Sequence, residues 1–493
     1  SSPGAHDLHE LYRMTASLSC SSDFGRRRGM ICVIASSALV ACGDDPGGPS
    51  DPAGGTPDPP AVATVAVTPQ SSALLVGDTI RLSAEARDSA GQLLPDRTIS
   101  WSTSQPDIAS VNVAGTVVAM SAGETMIGAT SEGFTGVALV TVADAPVATI
   151  LITPSDTALE AGALLELAAE LRDARGRTLS DRDITWTSID PAVATVSELG
   201  LLQAVEPGAT TVTAEAEGVT GTAAITVVHA PVTLVGAGDI ADCETPWDEA
   251  TADLLDTIEG TVFTLGDNVY EDGTEQEYSD CYHPSWGRHK DRTYPAVGNH
   301  EYHTPGAAPH FAYFGARAGD PDKGYYSYET GAWKVIVLNS NAARVAVDAG
   351  SAQEQWLRAE LAASDHKCTI AYWHHPRFSS GVYGDDDRFD AFWQALYEYQ
   401  VELVLVGHEH HYERMARLDP AGDLDPENGI RQIIAGTGGR YLRPTGVARP
   451  GSEVRDSGTH GVLRLTLHHD SYDWTFLPIA GLAFSDEGSD VCR

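Results

Sequence analysis

One stretch of about 85 residues occurs twice in this chain, and the repeat limits the folds that the N-terminal half can adopt. VATVAVTP at 62–69 returns as VATILITP at 147–154, an offset of 147 − 62 = 85 residues. The same offset links Trp101 to Trp186, which indicates two tandem copies without an insertion. Short alternating segments between Gly, Asp, Pro and Ser turns are typical of an antiparallel β-sandwich, so each copy is predicted to be one.

The repeats resemble bacterial Ig-like domains of the second group. The resemblance rests on ITWTSIDPAVATVS at 184–197 and on the closing GTAAITV at 221–227, and it implies two all-β domains at 61–145 and 146–229. Such modules occur in adhesins, so a binding role stays open beside a role as spacers. The spacer is favoured because no aromatic cluster or unusual loop indicates a ligand surface.

The first 42 residues are typical of a signal and lipobox region. Arg26–Arg28 form a basic start, and residues 30–41 form an apolar stretch that is too short to span a bilayer as a helix. LVAC at 39–42 resembles a bacterial lipoprotein box with Cys42 as the lipidated residue; an ordinary secretory signal is the alternative. Residues 43–60 are rich in Gly and Pro, which predicts a flexible linker. We expect an exported protein of the bacterial cell envelope, periplasmic or on the cell surface, that meets the membrane through a lipid anchor only.

The charge of the chain excludes one class of partner. It has 31 basic and 69 acidic residues, a net charge of −38. An acidic surface of this kind repels nucleic-acid backbones, so no nucleic-acid partner is expected.

Four of the seven cysteines lie beyond the signal and lipobox region. An even number of cysteines in an exported protein makes two disulfides plausible, with free buried thiols as the alternative. Of the three pairings, we favour the one that joins the two cysteines in loops after predicted site strands and leaves the other two as a pair. The favoured pairs are Cys243–Cys281 and Cys368–Cys492.

The C-terminal half contains five short motifs, four of which follow, or end, apolar runs that are typical of buried strands. They read GAGD (236–239), GDNVY (266–270), GNHE (298–301), WHHP (373–376) and GHEHHY (407–412). The apolar runs alternate with helical patterns at 247–258, 352–363 and 388–399, which favours an α/β domain at 230–493 with largely parallel strands. Because ligands bind at the carboxyl ends of such strands, the motifs are expected to meet there.

The side chains in these motifs suit the hydrolysis of a phosphate ester. That reaction needs a deprotonated water near neutral pH and neutralised phosphoryl oxygens, and two cations about 3.5–4 Å apart supply both. Hard oxygen ligands and imidazoles hold such ions, with one carboxylate between them. The residues that offer such groups are Asp239, Asp267, Tyr270, Asn299, His300, His374, His408 and His410.

These motifs, in this order, resemble the calcineurin-like metallophosphoesterase superfamily over roughly residues 232–480. Many members carry Asp-x-His at the first motif, whereas this chain has Asp239-Ile240-Ala241. Purple acid phosphatases also lack that histidine and use the tyrosine of a GDxxY motif, which Tyr270 matches; GHEHHYER at 407–414 is similar to their GHxHxYER. The resemblance is therefore to the purple acid phosphatase kind, and it implies a layered β-sandwich flanked by helices.

The resemblance also implies how the ligands divide between two metal ions. One ion, Fe(III) because of the tyrosine, would be held by Asp239, Asp267, Tyr270 and His410. The other, Zn, Fe(II) or Mn, would be held by Asp267, Asn299, His374 and His408, with Asp267 shared. His374 is preferred to its neighbour His375 from the family's His-x-Pro pattern.

The implied activity is that of an exported, acid-phosphatase-like enzyme that hydrolyses small-molecule phosphate monoesters through a metal-activated hydroxide. His300 would contact a phosphoryl oxygen or protonate the leaving group, and His375 could share that role. Glu413 and Arg414 are expected to brace their loop as an ion pair. A phosphodiesterase acting on nucleotides or glycerophosphodiesters is the alternative activity. A cell-envelope adhesion protein that uses the Ig-like repeats is the alternative of another class.

Overall fold

A computed structural model gives the structure of this chain and describes residues 59–493. The signal and lipobox region, the lipid attachment at Cys42 and nearly all of the linker therefore lie outside the described residues. Within residues 59–493, none of the helices has the length and apolar character that a membrane crossing requires.

Each repeat folds into β-strands only. In the first copy they are β1 (Thr64–Thr68), β2 (Ser71–Leu75), β3 (Thr79–Arg81), β4 (Ser83–Arg87), β5 (Ser100–Thr103), β6 (Ala109–Val111), β7 (Thr116–Ala119), β8 (Gly123–Ser131) and β9 (Phe134–Ala143). In the second copy they are β10 (Thr149–Thr153), β11 (Asp156–Glu160), β12 (Leu164–Glu166), β13 (Ala168–Arg172), β14 (Thr178–Leu179), β15 (Thr185–Ser188), β16 (Ala194–Val196), β17 (Leu201–Ala204), β18 (Gly208–Ala216) and β19 (Val219–Val228).

The second copy shows how its alternating sequence builds a sandwich. β18 and β19 form a long antiparallel hairpin, and β11 and β15 complete a four-stranded sheet with them. Every other residue of β19 points inward, so that Ala223, Ile225 and Val227 are buried while their neighbours are exposed. The smaller sheets, of β10, β13 and β14 and of β12, β17 and β16, supply the opposing apolar side chains. The prediction of all-β Ig-like sandwiches is confirmed.

The C-terminal part contains two larger sheets and several short helices. Its strands are β20 (Val232–Ala237), β21 (Thr261–Leu265), β22 (Thr293–Ala296), β23 (Tyr326–Thr330), β24 (Trp333–Val337), β25 (Cys368–Tyr372), β26 (Leu403–Val406), β27 (Tyr412–Leu418), β28 (Ile430–Ala435), β29 (Ser452–Asp456), β30 (Gly461–Leu467), β31 (Ser471–Pro478) and β32 (Glu487–Val491). Its helices are α1 (Trp247–Leu255), α2 (Glu275–Glu277), α3 (Ala308–Phe314), α4 (Ala352–Ala363) and α5 (Asp390–Glu398).

Each of the two sheets combines a block of parallel strands with antiparallel strands. The order in the six-stranded sheet is β22-β21-β20-β30-β31-β32, and in the seven-stranded sheet it is β23-β24-β25-β26-β28-β27-β29. β20–β22 run parallel, as do β24, β25, β26 and β28. The prediction of largely parallel strands is therefore right for β20–β22 and for β24, β25, β26 and β28, and wrong for the other strands. Most of those other strands follow residue 411, where no helix separates successive strands, and connections without a crossover favour antiparallel pairing.

The core lies between the two sheets and is extended by a layer of helices on each outer face. Leu234 and Phe263 of the first sheet pack with Ile370 and Leu405 of the second. On the outer faces, Leu255 of α1 joins one buried cluster, and residues of α4 and α5 join another. The predicted layered β-sandwich flanked by helices is confirmed.

Two disulfides form among the described cysteines, in the favoured pairing. Cys243 pairs with Cys281 and Cys368 with Cys492, with Cα–Cα distances of 5.2 and 5.4 Å. The second links the first residue of β25 to the residue after β32, so it holds the C-terminal strand to the domain.

Candidate metal centre

All seven predicted ligands meet at one edge of the two sheets. Asp239 follows β20, Asp267 and Tyr270 follow β21, and Asn299 follows β22. From the second sheet, His374 follows β25, and His408 and His410 follow β26. The parallel strands deliver these residues because their carboxyl ends point the same way.

Sharp turns after the strands aim the ligands inward. Asp239, Asp267 and His408 adopt the left-handed backbone conformation, with φ of 59°, 46° and 69°, which is uncommon outside glycine and clusters at functional sites. Gly266 has a φ of 82°, and a Cβ there would lie 2.8 Å from the Cβ of His374. A glycine at position 266 is therefore required for the loop after β21 to approach the loop after β25.

The first predicted donor set is compact. The Tyr270 hydroxyl lies 2.8 Å from Asp239 Oδ1, 3.2 Å from Asp267 Oδ2 and 3.4 Å from His410 Nε2. His410 Nε2 lies 3.4 Å from Asp239 Oδ1. These four residues thus bring their donor atoms into one small space.

The second donor set centres on His374. Its Nε2 lies 3.1 Å from Asn299 Oδ1, 3.2 Å from Asp267 Oδ2 and 3.2 Å from His408 Nδ1. Asp267 Oδ2 belongs to both sets, as a bridging carboxylate must.

The donor spacing fits metal ions. Ligand atoms that share an ion at bond lengths of about 2.1 Å lie about 3.0–3.4 Å from one another in tetrahedral or octahedral arrangements. The seven separations given above run from 2.8 to 3.4 Å. The mixture of carboxylate, phenol, amide and imidazole donors also suits hard and borderline ions.

Hydrogen bonds to the backbone fix which atom each ligand presents. His374 Nδ1 donates to the carbonyl of Leu265 at 2.7 Å, and His410 Nδ1 donates to that of Tyr441 at 2.8 Å. Because a carbonyl only accepts, Nδ1 carries a proton in both rings, and Nε2 is the nitrogen that faces the centre. The carboxylates are held similarly: Asp239 Oδ2 accepts from the His408 amide, and Asp267 Oδ1 from the His300 amide.

Burial and mutual charge shift the pKa values of the groups in the centre. Burial raises the pKa of Asp239 to about 7. Burial alone would lower the pKa of His374, but the charge and hydrogen bond of Asp267 raise it to about 9. Burial would likewise raise the pKa of Asp267, yet the charge of His374 holds it well below its usual range. Burial, together with the nearby Arg443 charge, lowers the pKa of His410 to about 3.

His300 lies at the open side of the centre. Its ring packs edge-on against Tyr270, with ring centroids 4.4 Å apart, and its Nε2 is 3.8 Å from Asp267 Oδ2. Its Nδ1 donates to the carbonyl of Glu271 at 2.5 Å. Nε2 is thus the ring nitrogen that faces the centre.

His375 lies beside the second donor set. Its ring centroid is 4.3 Å from that of His408, and one nitrogen of each of His374, His375 and His408 lies within 4.8 Å of the others. Its Nδ1 contacts Ser340 Oγ at 2.8 Å. His374 is the one of the pair that contacts both Asp267 and Asn299.

Two buried glutamates in the motifs brace the centre, and sequence analysis did not assign them a role. Glu301 accepts from the amides of Gly298 at 2.6 Å and Asn268 at 2.7 Å, so it joins the loops after β21 and β22. Glu409 accepts from the amide of Tyr383 at 2.7 Å and holds that residue's loop against the loop after β26. Both residues lie inside the motifs GNHE and GHEHHY, and this position was the sign in the sequence that they belong to the site.

Three residues at the rim were also missed, because they lie in loops whose shape the sequence does not reveal. Tyr383 stacks on His408 with centroids 4.6 Å apart. Arg440 pairs with Asp242 and Glu271, and Arg443 contacts the Tyr383 hydroxyl at 3.2 Å.

The expected ion pair between Glu413 and Arg414 is not formed. Neighbouring residues on β27 point to opposite faces of the sheet. Glu413 accepts from the Ser380 amide, whereas Arg414 pairs with Asp486 and Glu453.

Comparison with known families and proteins agrees with this architecture. Residues 61–142 and 146–227 each match the bacterial Ig-like domain (group 2), and residues 226–412 match the calcineurin-like phosphoesterase family. Purple acid phosphatase 21 of Arabidopsis thaliana is 28% identical over 276 residues, which are 50% of this chain and 60% of that protein. Purple acid phosphatase 18 of the same plant is 27% identical over 233 residues, 43% of this chain and 50% of that protein. The chain thus spans between half and two thirds of the length of these relatives.

A solved structure of a purple acid phosphatase from yellow lupin seeds is also similar to this chain. It aligns with 86% of this chain and 95% of its own, at 13% sequence identity and a TM-score of 0.45. From the family matches, the chain contains two bacterial Ig-like domains followed by a calcineurin-like phosphoesterase domain, and the chain is similar to purple acid phosphatases.

Proposed function

We propose that this protein hydrolyses phosphate monoesters at a centre of two metal ions. One observation carries the proposal: two donor sets with separations suited to metal binding share a single oxygen, Asp267 Oδ2. A carboxylate between two ions is what a two-metal phosphoesterase requires. The similarity to purple acid phosphatases supports the same activity.

The residues present fit the metals that the resemblance implies. Asp239, Asp267, Tyr270 and His410 would hold Fe(III), and Asn299, His374 and His408, with Asp267, would hold Zn, Fe(II) or Mn. When bound, such ions make a water nucleophilic near neutral pH and neutralise phosphoryl charge.

The remaining residues of the site orient the substrate and move a proton. His300 Nε2, held by the bond from Nδ1 to Glu271, would contact a phosphoryl oxygen or protonate the leaving oxygen. His375, fixed by Ser340, is placed to assist on the side of His408.

Two chromogenic esters test the proposal. Purified, metal-replete protein is expected to hydrolyse p-nitrophenyl phosphate with a higher kcat/KM than bis-p-nitrophenyl phosphate, with two metal ions per chain by elemental analysis. A preference for the diester would favour the alternative phosphodiesterase activity. Hydrolysis of neither ester by protein that holds both ions would refute both activities.

We also propose that the enzyme is exported and anchored by lipid at Cys42, with the Ig-like domains as spacers. The lipobox-like LVAC at 39–42 and the linker that follows it support this. Expression in a bacterial host with labelled palmitate, followed by membrane fractionation, tests it: a Cys42→Ser variant should lose both label and membrane association. Equal membrane association of both forms would argue against the anchor.

A further inference from the structure

Arg443 lies at the rim of the metal centre without a carboxylate partner. Its amide donates to the carbonyl of His410 at 2.8 Å, which ties the residue to a metal ligand. Its Nη1 contacts the Tyr383 hydroxyl at 3.2 Å. Among residues 59–493, no carboxylate oxygen lies within 4.0 Å of its guanidinium, although the chain has 69 acidic residues.

Arg440, three residues earlier in the same loop, provides the contrast. Its guanidinium pairs with Asp242 and Glu271, and its amide donates to the carbonyl of Asp239 at 2.9 Å. The charge of Arg440 is therefore neutralised within the protein, whereas that of Arg443 is available to an external anion.

Two tyrosine rings hold the Arg443 side chain in place of an ion pair. Its Cζ lies 5.5 Å from the centre of the Tyr383 ring and 5.7 Å from that of Tyr441. Both rings are well exposed, at 59% and 47%. Tyr383 stacks on His408, and Tyr441 meets His410 edge-on with centroids 5.5 Å apart. A tyrosine ring thus lies between the guanidinium and each of the two histidines, His408 and His410.

This position suits an anion next to the scissile phosphoryl group. A phosphoryl group bound at the centre would have its charge offset by the metal ions and by His300. A guanidinium one ring further out would meet the next part of the substrate, and it binds carboxylates and phosphates well. We propose that Arg443, held by Tyr383 and Tyr441, is a specificity residue that binds a negative charge on the leaving group, either a second phosphoryl group or a carboxylate. This inference rests on the proposed function.

Matched substrates test it. p-Nitrophenyl phosphate has an uncharged leaving group, p-carboxyphenyl phosphate carries a carboxylate on the same ring, and pyrophosphate carries a second phosphoryl group. Arg443→Gln is expected to raise KM about tenfold for the charged substrates, the loss for one charge-assisted hydrogen bond, and to leave KM for p-nitrophenyl phosphate and all kcat values within about twofold. If KM rises for pyrophosphate alone, the anion that Arg443 binds is a second phosphoryl group. If KM rises for both charged substrates, Arg443 also binds a carboxylate.

Arg317→Gln is the matched control. Arg317 also rests on a tyrosine ring, that of Tyr294 at 4.8 Å, and has no carboxylate within 4.0 Å among the described residues. Tyr294 lies within β22, whereas the ligand Asn299 follows that strand. This variant should leave all three KM values unchanged, and Arg443→Lys should restore part of the loss.

Other outcomes would overturn the proposal. An equal loss for all three substrates would mean that Arg443 binds the scissile phosphoryl group, and no change would mean that it binds no substrate. If the wild-type protein hydrolyses none of them, the proposed function fails, but calorimetric binding still tests Arg443. In that case Arg443→Gln should weaken pyrophosphate binding more than orthophosphate binding, and equal weakening would refute the assignment.

Discussion

The Tyr270 hydroxyl donates a hydrogen bond to Asp239 Oδ1 at 2.8 Å, which joins the loops after β20 and β21 at the centre of the site. Tyr270 is buried, and burial together with the charges of Asp239 and Asp267 raises its pKa well above the usual value. Only a strongly charged ion at this position would favour the phenolate. Many family members carry a histidine where this chain has Ala241. The hydrogen bond holds the Tyr270 hydroxyl beside Asp239, where it could serve in place of that histidine.

Tyr270→Phe is expected to abolish the broad visible absorption that a tyrosinate gives when it binds Fe(III). The ring remains to pack against His300, so the fold should be kept, while the metal loses one oxygen donor. Visible spectra of iron-loaded protein measure the effect. Tyr383→Phe is the control, since Tyr383 stacks on His408 without reaching the donor atoms. An unchanged spectrum in Tyr270→Phe would show that Tyr270 is no ligand.

His300→Ala is expected to lower kcat on p-nitrophenyl phosphate by about 100-fold or more, the usual contribution of a general acid. Its Nε2 is 3.8 Å from Asp267 Oδ2, outside both donor sets, so both metal ions should be retained. Steady-state kinetics with elemental analysis measure this. His303→Ala is the control, because His303 also donates to the Glu271 carbonyl but is exposed. Metal loss in His300→Ala would instead reassign His300 as a ligand.

The sequence predicted which residues meet at the edge of the sheets better than it predicted what surrounds them. Asp239, Asp267 and His374 follow apolar strands, and parallel strands bring such residues to one edge whatever the loops do. Glu301 and Glu409 sit inside the same motifs, but their role depends on which backbone amides the folded loops present to them. Residues of the long loops, such as Arg443, come near the centre through tertiary packing, which no local pattern encodes.

Glu301→Gln is expected to weaken metal binding about tenfold, as loss of a residue that orients ligands commonly does. An amide keeps one acceptor oxygen and places an NH₂ group against one of the two amides, Gly298 or Asn268, that Glu301 now accepts from. Competition with a chelator measures the affinity. Glu402→Gln is the control and should leave the metal affinity unchanged. Glu402 is also buried and accepts a hydrogen bond from a backbone amide, that of Thr369, but this contact lies at the start of β25. Equal affinities in both variants would contradict the bracing role.

Removing the Cys368–Cys492 disulfide by a double change to Ser is expected to lower the free energy of unfolding by about 3–5 kcal/mol, the range for a long closed loop. The bridge spans 124 residues. It lies at the start of β25, whereas His374 follows the end of that strand, so activity at 25 °C should be kept while Tm falls. Thermal unfolding and kinetics measure the two effects. Loss of activity without a change in Tm would show that the disulfide positions the metal centre.

Metal binding by the metal-free protein is expected to strengthen as pH rises from 6 to 9. The pKa of Asp239 is raised to about 7 and that of His374 to about 9, so both groups hold protons at pH 6 that a metal ion must displace. Affinity should therefore rise as each proton is lost, and binding at pH 7 should release protons. Calorimetry in two buffers with different ionisation enthalpies counts these protons, and Asp239→Asn should reduce the number. An affinity that does not change between pH 6 and 9 would mean that these ligands are already deprotonated in the metal-free protein.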